Sequence, residues 1–155
     1  MSSQAYDTDL LGWIEEQTAL LRAGRFAELD HEHILEELED MGREQKVALQ
    51  SLFRQILIHL LKLDLSPATA PRGKWVDELV EFRAQAQTRL DETPSLQHHA
   101  GALFEKAWQQ ARRGAVKSFQ AYGEAVEVPE LCPYSMEQSM DQDFIPPVAV
   151  DAPAQ

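Results

Sequence analysis

A chain of 155 residues, 44% hydrophobic and 26% charged, has the size and balance of an ordinary globular domain that buries a core without disulfides or metals. Its net charge of −12 opposes approach to a phosphate backbone, so direct nucleic-acid binding is disfavoured and a basic protein partner is favoured. Cys132 is the one cysteine, which excludes an internal disulfide and a multi-thiolate zinc site and fits a reducing cytoplasm.

No basic stretch followed by an apolar one opens the chain, so no secretory leader is expected. Helical periodicity dominates from there, with almost no β-branched alternation. Asp7 is a good N-cap for a first helix running to about Ala23, on which Leu10, Trp13, Ile14, Leu20 and Leu21 form one apolar face. Gly24 stands where the C′ residue belongs, and Phe26 and Leu29 are the expected anchors of the short connection. Asp30 caps a second helix that extends to about Leu65, roughly 50 Å at 1.5 Å per residue, with Gly42 the natural place for a kink or break. Ile34, Leu38, Leu49, Leu52, Phe53, Leu60 and Leu63 fall within about 60° of Ile56 on a helical wheel. Ile58 and Leu61 fill the opposite side, which places this end at the centre of a bundle. The apolar run there is about ten residues with His59 and Lys62 inside it, against the ~20 that a membrane span needs.

Pro67, Pro71 and Gly73 break the chain. The third helix is expected from about Lys74 to Asp91, with Trp75, Leu79, Phe82, Ala86 and Leu90 in register. "ETPSL" ends it and offers Thr93 or Ser95 as the next cap, with Pro94 near the first turn. The fourth helix carries Leu96, Ala100, Leu103, Phe104, Ala107, Trp108, Ala111, Ala115 and Phe119. After Tyr122 the composition changes: residues 122–155 carry seven acidic and no basic side chains, and Pro146 and Pro147 forbid a continued helix. "SMEQSMDQD" reads as a short helical turn, and residues 147–155 as a flexible tail. Arg112, Arg113 and Lys117 give the fourth helix a basic surface along which the acidic segment can fold back, with Tyr134 and Phe144 as anchors. Otherwise the segment is free and serves as acidic bait for a partner. The reading is therefore all-α: a single-domain bundle of four main helices over residues 1–146 with an irregular acidic C-terminal segment.

The order of "YDTDLLGWIEEQTALLRAGRFAELD", "EELEDMGREQ", "HLLKLDL", "TPSL" and "CPYSMEQSMDQDFIP" resembles the family called domain of unknown function 29, from Tyr6 to about Pro146. Leu63 stands where that family often has tryptophan and Thr93 where it often has serine. The resemblance implies a compact all-helical bundle and carries no activity, substrate or cofactor.

Two places could hold chemistry. His59 sits about 60° from the centre of the main apolar arc, at the edge of the buried face. It could be a metal ligand or general base, but a di-iron bundle would need Glu at position 56, where this chain has Ile. The preferred reading is a neutral ring satisfied by one neighbouring backbone group or carboxylate, and Lys62 beside it reads as a snorkelling cation. The second place is "DHEHILEELED", where His33, Glu36 and Glu37 are helical neighbours that could take a divalent ion. Acidic residues in a first turn also simply complement the helix dipole. His98 and His99 point about 100° apart and do not chelate together, and Cys132 beside Pro133 reads as a small buried hydrophobe. No nucleophile–base set, phosphate loop or cofactor motif is visible. The expectation is a non-enzymatic cytoplasmic interaction module, with neutralisation of a basic partner as one subtype. The alternative is a metal-dependent hydrolytic enzyme of bundle type built on His59 and acidic residues of the second helix.

Overall fold

The structure, a computed structural model, describes residues 2–149, so residues 150–155 of the expected tail lie outside the described residues. Among those described there are helices and no strand, and the fold is all-α, with four long helices where the periodicity placed them. By contact density the chain divides into two compact units, Met1–Glu44 and Gln45–Gln155.

The first unit holds α1 (Ser2–Thr8), α2 (Leu10–Arg22), a 3-10 turn at Phe26–Glu28 and the opening turns of α3 (His31–Leu65). The cap of α2 is Asp9 and not Asp7: its Oδ1 accepts the Gly12 N–H at 3.0 Å. A Cβ on Gly12 would come within 2.6 Å of that carboxylate, so glycine makes the room for the cap. At its other end α2 stops in a Schellman motif, with Gly24 at φ +68 and the N–H groups of Gly24 and Arg25 donating to the carbonyls of Leu21 and Leu20. The buried side of α2 differs from the expected apolar face. Trp13 and Gln17 are buried, whereas Leu10, Ile14 and Leu21 are exposed, and so is Phe26, which anchors nothing. Asp30 does cap α3, as expected, accepting from the His33 N–H at 3.4 Å.

Gly42 does not break α3, which runs unbroken over 35 residues. In the second unit its C-terminal half packs with α4 (Arg72–Glu92) and α5 (Gln97–Ala121). Leu49, Phe53, Ile56, Leu57, Leu60, Leu61 and Leu63 of α3 are fully buried against Leu79, Ala86, Leu103, Ala107, Trp108 and Phe119. Apolar residues all round α3 near residue 57 thus reflect helices on several sides, as the wheel indicated. A 3-10 turn at Pro94–Leu96 joins α4 to α5, and neither Thr93 nor Ser95 caps a helix there with its side chain. The 3-10 turn runs straight into the first turn of α5, and Leu96 is buried.

Past Gly123, at φ +67, the segment 124–149 lies along the unit and includes the short helix α6 (Met136–Met140), capped by Ser135. Helix side chains hold this segment mainly by its backbone carbonyls. Arg112 donates to Pro129 O at 2.8 Å and Val128 O at 3.3 Å, Trp108 Nε1 to Glu130 O at 3.1 Å, Arg83 Nε to Ser139 O at 2.7 Å, and Arg72 to Pro146 O. Val128 and Tyr134 are buried, and Tyr134 packs on Phe144 with ring centroids 6.1 Å apart. The segment therefore does fold back with the expected anchors, but Arg112 reaches its main chain and not its carboxylates. Cys132 packs against the core, its thiol donating to Tyr134 O at 3.2 Å, and burial pushes that thiol's pKa up.

Candidate functional site

Each unit carries a polar network that includes a histidine. In the first, Asp30 is the hub. Its Oδ2 accepts from Trp13 Nε1 at 3.0 Å and from His33 Nδ1 at 2.7 Å, while its backbone N–H donates to Gln17 Oε1 at 2.8 Å. Burial pushes the Asp30 carboxyl up, and the hydrogen bonds from Trp13 and His33 more than offset this, leaving it below the ordinary value. The same hydrogen bond raises His33, with burial working against it. His33 also stacks on Tyr6 at 4.1 Å between centroids, and the Tyr6 hydroxyl donates to Glu37 Oε1 at 2.7 Å. That bond is the main reason the Tyr6 hydroxyl is pushed up to about 12.

The expected grouping of His33 with Glu36 and Glu37 is thus resolved differently. His33 pairs with Asp30, Glu37 with Tyr6, and Glu36 is exposed. The signal that would have found this was the aromatic at position 6, which a reading confined to the "DHEHILEELED" stretch leaves out.

The second network centres on His59, which is buried and not at the edge of the apolar face. The imidazole stands edge-on to Phe82. Nδ1 lies 2.7 Å from Gln55 O and Nε2 lies 2.7 Å from Glu78 Oε2. Both ring nitrogens are thus engaged by hydrogen-bond partners. The bond from His59 holds the Glu78 carboxyl below its ordinary range, burial works the other way, and Lys74 adds to the lowering from 3.6 Å. Lys62 behaves as a snorkelling cation, its ammonium 5.8 Å from the centroid of Trp75. Glu78, Lys62, Lys74, Trp75, Tyr122 and Glu124 line a cleft of about 340 Å3. Two ammonium groups and two carboxylates face it, so it has no dominant charge. Glu124 accepts from the Ser66 hydroxyl at 2.8 Å.

His33, Glu36 and Glu37 therefore lie in one unit and His59 in the other. Among the described residues no group of three or more His, Cys, Asp or Glu side chains is arranged to hold a metal ion. Among them also no helix is long and apolar enough to cross a membrane. Glu78 was not singled out in the sequence because its partner is nineteen positions away on another helix.

Neither a curated protein nor a solved structure matches the chain. The family model described as Domain of unknown function DUF29 matches residues 5–145, which take in the Asp30 and His59 networks and most of the returning C-terminal segment, and the chain belongs to that family.

Proposed function

We propose that the protein is a non-enzymatic interaction module of the cytoplasm that engages a basic protein partner through its first unit. One observation carries this reading. Residues 1–44 hold 12 acidic and 3 basic side chains, a net of −9, and among the described residues there eight large hydrophobic side chains are exposed and Trp13 is the one large hydrophobic residue buried. A segment that keeps its apolar side chains in water and surrounds them with carboxylates has a surface suited to a partner that brings both apolar groups and positive charge. Around Asp30 and His59 the carboxylates and ring nitrogens are held by neighbouring side chains and carbonyls, which favours a structural role for each.

Affinity purification of the full chain from native lysate tests the reading, with Glu36→Lys/Glu39→Lys/Glu44→Lys as the comparison. These three carboxylates are exposed, so the substitutions leave the packing intact. A stoichiometric basic partner retained by the wild type, and lost by the variant or at high salt, is the expected result. Recovery of no such partner, or equal recovery by the variant, overturns it.

A further inference from the structure

Three helix ends surround the cleft of the second unit, and the main chain fixes each of them. Ser66 follows the last turn of α3, its N–H donating to Lys62 O at 3.0 Å. Arg72, at the start of α4, donates to Leu63 O at 2.7 Å. Gly123, at φ +67, ends α5 in a Schellman motif in which the Glu124 N–H donates to Phe119 O at 2.9 Å. Within this frame the charges pair off unevenly. Glu78 takes the Nε2 of His59 at 2.7 Å and lies 3.6 Å from Lys74, so that carboxylate and that ammonium answer each other. Two charges are left over. Among the described residues no carboxylate pairs with Lys62, whose ammonium lies 5.8 Å from the centroid of Trp75. Among them also no cation pairs with Glu124, which accepts from the neutral Ser66 hydroxyl at 2.8 Å. Both residues are half-buried, where an unanswered charge costs more than on an open surface. They also stand close together: Ser66 is one helical turn beyond Lys62, and Glu124 is tied to Ser66.

We propose that this cleft binds a small zwitterion, a free α-amino acid with an apolar side chain. Its carboxylate meets Lys62 and its ammonium meets Glu124, while its side chain lies against Trp75 and Phe119, which supply the apolar part of the lining. A ligand of no net charge suits a cleft that holds two charges of each sign, and it leaves the Lys74–Glu78 pair undisturbed. A simple anion would leave Glu124 unanswered, and a simple cation would leave Lys62 so. The volume of about 340 Å3 lies at the small end of the roughly 300–1,000 Å3 of ligand clefts, which favours a single amino acid over a peptide. His59 acts here as a positioning residue, holding the Glu78 carboxylate with its other oxygen towards Lys74. The site belongs to the second unit alone and does not rest on the interaction reading above.

The test titrates the 15N-labelled full-length protein with L-phenylalanine, L-leucine and L-methionine up to about 10 mM. The indole N–H signal of Trp75, assigned with Trp75→Phe, reads binding. At least one of the three is expected to saturate that signal. Its N-acetyl derivative, which lacks the cation, and its amide, which lacks the anion, are each expected to bind at least tenfold more weakly. Lys62→Met keeps the methylenes beside Trp75, and Glu124→Gln keeps an acceptor for Ser66, so both variants retain the packing. Lys62→Met is expected to weaken the amino acid at least tenfold and leave the amide unchanged. Glu124→Gln is expected to weaken the amino acid likewise and leave the N-acetyl derivative unchanged. A merely structural defect would weaken all ligands alike, and that result overturns the assignment. An N-acetyl derivative that binds the wild type as well as its parent overturns the proposal in favour of a plain anion site. An amide that does so overturns it in favour of a plain cation site. Binding of none of the three amino acids overturns it outright, and none of these outcomes bears on the lysate experiment.

Discussion

The Nε2 of His59 on α3 lies 2.7 Å from the Oε2 of Glu78 on α4, and its Nδ1 is held by the carbonyl of Gln55 one turn earlier. The pair ties two core helices together at a point where one side chain is buried and the other reaches the cleft. In a double-mutant cycle with His59→Gln and Glu78→Gln, the coupling is expected to be about 1 kcal/mol near neutral pH. The Glu78 pKa is lowered in the folded state, so its contribution is present above the ordinary value of 4.5 and disappears as pH falls through the folded value. Urea unfolding of the four proteins at pH 7 and at acid pH measures both. A coupling near zero at pH 7 would show that the bond is geometrically present but energetically idle.

Asp30 and His33 shift in opposite directions, Asp30 down and His33 up, so each stabilises the fold in its charged form. His33 contributes fully below its ordinary 6.5, and the contribution fades as pH rises through the folded value. Asp30 contributes above its ordinary 3.8, and the contribution fades as pH falls through its folded value. The bond between them is therefore strongest between about pH 4 and 6.5. Asp30→Ala removes a helix cap as well as this bond and is expected to cost about 1–2 kcal/mol. Asp30→Asn keeps the shape and is expected to flatten the dependence of the unfolding midpoint on pH across that window.

At the alkaline end Tyr6 is the relevant group. Its hydroxyl, raised to about 12 by the bond to Glu37, stays protonated in the folded protein after an unfolded chain has begun to lose that proton near pH 10. The stabilisation is whole below pH 10 and is lost as pH climbs through the folded value. Tyr6→Phe is expected to remove this part of the alkaline stability loss, read from unfolding midpoints between pH 9 and pH 11.5. An unchanged slope would mean the Tyr6–Glu37 bond does not persist in solution.

For the returning segment, the decisive contrast is between carbonyls and carboxylates as acceptors. Arg112→Ala is expected to destabilise by about 1 kcal/mol, with little dependence on salt, because its partners are the carbonyls of Pro129 and Val128. Tyr134→Phe strands the Oδ2 of Asp64, to which the hydroxyl donates at 2.7 Å, and is expected to cost about 1–2 kcal/mol. Ending the chain at residue 121 uncovers the sites of Val128 and Tyr134 and is expected to lower the melting temperature sharply. Denaturant titrations at 20 and 500 mM salt check all three.

Much of the fold was legible because helix length and apolar period are local properties. The stretch from Leu49 to Leu63 repeats its hydrophobic residues so densely that α3 had to lie among other helices, and Gly24, Asp30 and Pro67 punctuate the chain as their backbone preferences require. The side that a short amphipathic helix buries is not local. On α2 the leucines looked like the inward face, yet Trp13 and Gln17 are buried because the indole and the amide find partners in Asp30 that no leucine could satisfy. For the same reason His59 was placed too near the surface: its carboxylate partner comes from a helix whose position the sequence does not specify. Asp9, two positions after the expected Asp7, is the cap because its carboxylate lies over Gly12, where no side chain stands in its way.

Arginines and a tryptophan grip the returning segment by its peptide oxygens at residues 128–130, 139 and 146. Every amino acid supplies that oxygen. The attachment consequently leaves the exposed side chains of this stretch free to drift, so its acidic decoration can be rewritten for a new purpose while the segment stays fastened where it is.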